Sequence, residues 1–348
     1  MTHTPESDEL AGLLAALPDL QGDAKLMAVD AVLDRLDATA PGVARIVAAV
    51  VSALDPASRV ALSERFREYD GSLPVDSAHK SLADCLVLTI KPVEWRAALA
   101  AFDVPMGDFT FLSDLPVHFA ERDGRRYAIA SVGHDGNTES AILFGQLYQA
   151  LRPRAAVLVG MAGGVRGKVE PGDVVVAEHI HAYDFRKLTV DGPLNRAKTY
   201  RVPDRLTRQA ESTTVLNREW FMSVGTSLRE VLDTDDYDTN GSVEPDVGWR
   251  PNVVSGDVLA GGSLVEDGSL PAWARAFNEK VKAAEMEGAG FAAACSEVDI
   301  PWMVIRGIAD VGEDGREGNW QFASTYAAAS WLRTALDKRL IDFAPAPT

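Results

Sequence analysis

Residues 284–310 read AEMEGAGFAAACSEVDIPWMVIRGIAD and hold the chain's most suspicious charges. Glu285 and Glu287 are expected to open a helix of small residues that runs to about Glu297, with Asp299 beginning the turn that ends it. Trp302 to Ile308 is an apolar run bounded by Pro301 and Gly307, long enough for one buried strand. It carries Arg306 and is followed by Asp310, although a buried parallel strand should be nearly all apolar. Carboxylates there can accept hydrogen bonds or move protons. Ligands of open α/β sheets bind at the carboxyl ends of strands, so Glu287 and Asp310 are the first candidate site residues. Glu285 fits the plainer role of a helix-start acid, because one intervening Met puts the two acids on different helix faces.

Other strand ends carry polar or glycine-rich segments. Glu94 follows the strand Leu86 to Ile90, with Pro92 keeping the backbone extended. By itself it reads as an acid at a helix N-terminus. Ala155 to Val159 is a strand followed by Gly160-Met161-Ala162-Gly163-Gly164, a turn whose backbone could approach a ligand closely. Its spacing is neither a Walker A loop nor GxGxxG. Asn252 to Ser255 leads into Ser255-Gly256-Asp257. A shared rim would bring these segments together.

The elements that must position them alternate strand and helix from Ala83 onward. Further strands are expected at Tyr127 to Val132 and Asp173 to Ala177, with helices at Trp95 to Phe102, Thr138 to Leu151 and Phe322 to Leu340. The expected class is α/β, a mixed and mainly parallel central sheet flanked by helices. Residues 1–75 differ: leucine spacing and an Asp55-Pro56 helix start predict a small all-α bundle, read as a protein-interaction domain. Residues 76–82 form a linker, 83–342 the main domain and 343–348 a tail.

Of 348 residues, 47% are hydrophobic, ample for a core, and the net charge is −17. That sign argues against nucleic acid as a partner. Two cysteines, Cys85 and Cys295, sit in apolar runs and make no disulfide framework or zinc spacing. The N-terminus lacks the regions of a signal peptide, and no apolar run approaches a membrane span. A cytoplasmic protein without membrane contact or cofactor is expected. His134, His179 and His181 are scattered and receive no metal role, and the acidic stretch Asp233 to Asp246 fits no calcium loop.

The segments GMAGGVRGKVEPGDVVVA, VVSGDVLAGGS and AEMEGAGFAAACSEVDIPWMVIRGIADV resemble, in order and spacing, the nucleoside phosphorylase superfamily. They are most similar to its methylthioadenosine/S-adenosylhomocysteine nucleosidase branch. The resemblance spans roughly three quarters of the chain and implies cleavage of the N-glycosidic bond of a purine, with adenine the expected base. It implies that Asp310 is the general acid at purine N7, that Glu287 accepts from ribose hydroxyls, and that Met286 lies against the sugar. Glu285 would make a secondary ribose contact, and Glu94 would activate water, although its KPVEW context departs from the family's run of acids. Arg306 would steady the acid loop or the opposite lobe. Met161, Ala162 and Gly163 would border the substrate, and Asp257, Val258 and Leu259 would lie beside the base.

Three departures stand out. Met161 replaces a serine that contacts phosphate in phosphorylases, which favours water as nucleophile. Leu259 replaces an aromatic residue, and Ala309 a small hydroxyl residue. The segment His179 to Arg201 is basic, and Arg186, Lys187, Arg196, Lys198 and Arg201 could hold the phosphates of a purine nucleotide such as AMP or ATP. A solvated loop or oligomer contact explains the same charges equally well. The resemblance also implies a homo-oligomer, and the domain order resembles bacterial effectors in which an adaptor controls a toxic or signalling enzyme in antiviral defence. Two other readings stay open: a phosphorolytic enzyme and a nucleotide-sensing scaffold without turnover.

Overall fold

The computed structural model describes residues 81–343 except 113–114, 185, 190–191, 235, 247, 263–268 and 313–318, together with residues 25, 27–29, 31 and 32. The chain divides into two compact units, Met1–Lys80 and Ser81–Thr348. In the first, the few described residues are helical, and Val29 and Val32 are buried. The remaining helices expected there lie outside the described residues.

The second unit contains β1 (Cys85–Thr89), α1 (Pro92–Ala101), β2 (Phe109–Leu112), β3 (Leu115–Arg122), β4 (Arg125–Ser131), α2 (Asn137–Leu151) and β5 (Ala156–Gly164). It continues through β6 (Val174–Ala182), β7 (Arg186–Thr189), β8 (Gly192–Asn195), β9 (Lys198–Arg201), α3 (Asp204–Leu216) and α4 (Arg218–Leu232). The last part is β10 (Val253–Ala260), α5 (Leu270–Phe277), β11 (Val281–Glu285), α6 (Gly288–Glu297), β12 (Trp302–Asp310) and α7 (Gln321–Asp337). The main sheet runs β11-β10-β6-β12-β5-β1-β4-β3-β2, with β9 beside β6. Its middle pairs (β1 with β4 and β5, β12 with β5, β10 with β6 and β11) are parallel. Residues 302–308 of β12 and all of β1 are buried, as a sheet covered on both faces requires. Among the described residues no helix is long and apolar enough to cross a membrane.

One closure positions everything that follows. β11 also pairs antiparallel with the end of β5, Ala283 opposite Gly164 and Ala284 opposite Gly163. Strands β5, β12, β6, β10 and β11 therefore curl into a ring at the carboxyl ends of β5 and β12. A register shift between Ile308 and Asp310 sets Asp310 beside Gly163. Two expectations are corrected here. Residues 160–164 are strand, not a turn, because they pair with both β12 and β11. Glu285 ends a strand instead of opening a helix, and Glu287 is the N-cap of α6.

Candidate active site

A cavity of about 590 Å³ opens at that closure. Glu94, Met161, Ala162, Gly163, Glu285, Met286, Glu287, Ala309 and Asp310 line it. Lys91, Asp135, Asn319, Trp320 and Gln321 also line it. The signal for Lys91 was the KPVEW start of α1, and for Asp135 the GHDGN turn before α2. Asn319 and Trp320 precede the last helix and Gln321 opens it, and none of them carries a pattern that marks it.

Glu94 is buried in the first turn of α1. Its Oε2 accepts from the backbone N–H of Ile90 and of Lys91, each at 2.8 Å, and its Oε1 accepts from the N–H of Met161 at 2.7 Å. The carboxylate thus ties the end of β1 to β5. An ionised carboxylate offers about four acceptor positions, so about one remains on Oε1. Gly160 explains the spacing. A Cβ there would stand 2.5 Å from Glu94 Oε1 and 2.5 Å from Arg306 Nη1. Only glycine lets both groups meet above the strand.

Arg306 is fully buried. Its Nη2 donates to Glu285 Oε2 and, at 3.3 Å, to Glu287 Oε2. Burial alone would lower the guanidinium's pKa, but Glu285, Glu287 and Glu94 outweigh it and raise that pKa. Its Nε and Nη1 have no hydrogen-bond partner among the described residues. A buried donor left unpaired costs about 1–3 kcal/mol, so this one has a reason to be there.

Glu285 and Glu287 divide the work at the start of α6. Glu285 accepts from the N–H of Glu287 at 3.1 Å and of Gly288 at 2.8 Å, an acid satisfying helix-start donors. Glu287 Oε1 accepts from the Gly136 N–H at 3.3 Å, and Ser140 Oγ donates to its carbonyl at 2.9 Å. Burial, opposed by Arg306 and reinforced by Glu285 and Glu94, pushes the Glu287 carboxyl up to about 7. Asp310 is half-buried and accepts from the Gly312 N–H at 3.2 Å. Its Oδ1 is 3.8 Å from where a Gly163 Cβ would stand.

Other expected site residues are placed elsewhere. Val258 and Leu259 are completely buried, and neither they nor Asp257 lines the cavity. Leu259 packs in a second core with Val165, Tyr183 and Leu270. Asp257 accepts from His179 Nδ1 at 2.9 Å, His181 Nε2 at 3.0 Å and Asn278 Nδ2 at 2.6 Å. The two histidines are therefore not scattered: the alternation of β6 puts both on one face. Glu178, His179 and Asp257 each bring a possible ligand atom within 4.8 Å of the others. Arg196, Lys198 and Arg201 are exposed and do not line the cavity, and Arg201 pairs with Asp204 at 2.7 Å. Arg186 and Lys187 lie in the β7–β8 hairpin.

A buried acid–arginine cluster, a half-buried acid and a wall of strand glycines thus surround one cavity at the carboxyl ends of β5 and β12. Residues 92–343, more than half of the chain, match the Phosphorylase superfamily, and the chain belongs to that family. It is 24% identical over 252 residues to the ATP nucleosidase Cap17 of Escherichia coli (strain KTE188), covering 70% of this chain and 49% of that protein. The chain thus spans about half the length of that relative. It is 26% identical over 211 residues to a 5′-methylthioadenosine/S-adenosylhomocysteine nucleosidase of Mycobacterium bovis, covering 60% of this chain and 79% of that protein. Among solved structures, the futalosine hydrolase of Helicobacter pylori superimposes with a TM-score of 0.57 at 18% identity, over 74% of this chain and 98% of that one. The 5′-methylthioadenosine/S-adenosylhomocysteine nucleosidase of the same organism gives 0.57 at 18%, over 74% and 100%. These two likenesses concern the fold.

Proposed function

We propose that this protein hydrolyses the N-glycosidic bond of an adenine nucleoside or nucleotide and releases the free base. The observation that carries the reading is the convergence above Gly160. Glu94 has about one acceptor position left, and Arg306 has an orphaned buried N–H within about 5 Å of it. A water that reached this point would meet an acceptor on one side and a donor on the other. In the reaction the water oxygen attacks C1′ and its proton passes to Glu94. The C1′–N9 bond breaks, its electron pair moves into the purine, and Asp310 delivers a proton to N7. Glu287 accepts from the ribose hydroxyls, and with a pKa of about 7 it is largely ionised above neutral pH. Met286 covers the sugar and Gly163 lets the base approach β5.

The names of the relatives support hydrolysis over phosphorolysis, and so does Met161, which has no polar donor for phosphate. They span substrates with and without 5′-phosphates. We place the protein in the cytoplasm as a homo-oligomer, with residues 1–75 contacting a protein partner that controls an effector activity. Liquid chromatography after incubation with AMP, ATP, adenosine, methylthioadenosine and NAD tests the chemistry. Adenine should appear without added phosphate. Base release that requires phosphate and yields a sugar 1-phosphate would make the enzyme a phosphorylase.

A further inference from the structure

We infer that the side chain of Lys91 receives a 5′-phosphate, so that the cavity takes purine 5′-nucleotides in preference to nucleosides. The inference rests on the nucleosidase reading for the orientation of the ligand. Among the described residues that line the cavity, Lys91 is the one cation, against the acids Glu94, Asp135, Glu285, Glu287 and Asp310. A neutral nucleoside gains little from an ammonium at the mouth of such a site. An anionic 5′-substituent would be repelled by these walls everywhere except beside Lys91.

The site has a direction, and it ends at this lysine. Asp310 stands beside Gly163, and Glu94 and Arg306 stand over Gly160, about 10 Å back along β5 at 3.3 Å per residue. Glu94 in turn bridges from Met161 to the backbone of Ile90 and Lys91. The order along the cavity is therefore Asp310, Met161, Glu94, Lys91. In a ribose the C5′ substituent is carried on C4′, across the ring oxygen from C1′. With the base toward Asp310, C5′ points toward Lys91.

Lys91 is also free to take a ligand. Its Nζ lies 3.5 Å from Asp135 Oδ2, and the two side chains are 45% and 43% exposed. An exposed pair of this kind contributes at most about 1 kcal/mol and exchanges readily for a phosphate oxygen. The backbone N–H of Lys91, not its side chain, holds Glu94, so replacing the side chain leaves that tie in place. The basic residues first suspected of this role include Arg201, which is engaged with Asp204 outside the cavity.

The test separates binding from turnover. Calorimetry in an Asp310→Asn background measures AMP, ATP and adenosine binding with and without Lys91→Met. AMP and ATP should bind more tightly than adenosine. Lys91→Met should weaken AMP by about 10-fold or more relative to adenosine, and Lys91→Arg should recover most of the loss. In the enzyme without the Asp310 change, the ratio of kcat/KM for AMP to that for adenosine should fall by the same factor in Lys91→Met. Lys91-dependent AMP binding with no base release from any substrate would keep this inference and sink the hydrolase. Equal binding of AMP and adenosine, or an AMP preference that Lys91→Met leaves unchanged, would overturn it.

Discussion

Two buried polar clusters sit on the same sheet, and they differ in what they leave undone. At Asp257 the carboxylate has three donors and no access to the main cavity. Burial alone would raise its pKa, yet the hydrogen bonds and charge of His181 and His179 hold it below the usual carboxylate range. At Arg306, three glutamates surround one guanidinium, two of its nitrogens are unpaired among the described residues, and the cluster's glutamates line a cavity. The Asp257 carboxylate is held by three side chains away from that cavity, whereas the Arg306 cluster faces it with donors unpaired among the described residues. The comparison makes Asp257 a structural partner of β6 and β10, although its SGD motif looked as chemical as EMEG.

The largest effect should come from Asp310. Asp310→Asn keeps the shape and removes the transferable proton, so kcat should fall by about 10²–10⁴ with little change in thermal stability. A loss under threefold would place the acid elsewhere. Arg306→Met comes next. It strands buried glutamates without their counter-charge, and chemical denaturation should show about 3–5 kcal/mol of lost stability. A stable, active variant would mean the cluster is not a unit.

Glu287 gives a pH signature of intermediate size. Its folded pKa of about 7 lies above the ordinary 4.5, so the folded state holds a proton that the unfolded state has released. The stability linked to this group is complete below about pH 4.5 and is lost as pH rises through about 7. Glu287→Gln should flatten that part of the stability–pH curve. An unchanged slope would assign the titration to another group. The smallest effect should be at the Asp257 cluster. Asp257→Asn exchanges one acceptor for a donor facing histidine, and should cost about 1–3 kcal/mol of stability with kcat retained. A hundredfold loss of kcat at full stability would erase the distinction between the clusters.

Much of the site was legible because its charges stand where an apolar strand should continue. Arg306 inside a run of buried residues and Asp310 at its end needed a reason, and the reason is the cavity. Glu94 could not be resolved from its neighbours alone, since its contact with Met161 joins positions 67 residues apart. Closure of the sheet was illegible for the same reason. VKAAE alternates buried and half-buried positions over only five residues, with Lys282 and Glu285 among them, too short a signal to mark β11. Without β11, the glycines of β5 looked like a turn, because glycine is poor in strands and nothing local shows that a guanidinium and a second strand press on them. β2 reads FTFL, apolar at three of four positions, but so short a run does not mark a strand, and the fold leaves it largely exposed. The SGD motif gave no sign that Asp257 faces His179 and His181 and not the cavity, because a motif records residue types and not what they face.

In the proposed reaction, water held between Glu94 and Arg306 attacks C1′. Base release in ¹⁸O-labelled water with no phosphate present, followed by mass spectrometry of the sugar product, tests it most directly. Free adenine and one ¹⁸O in the released ribose moiety are expected, with both signals lost in Glu94→Gln. Unlabelled sugar, or label that still appears at full rate in Glu94→Gln, would contradict it.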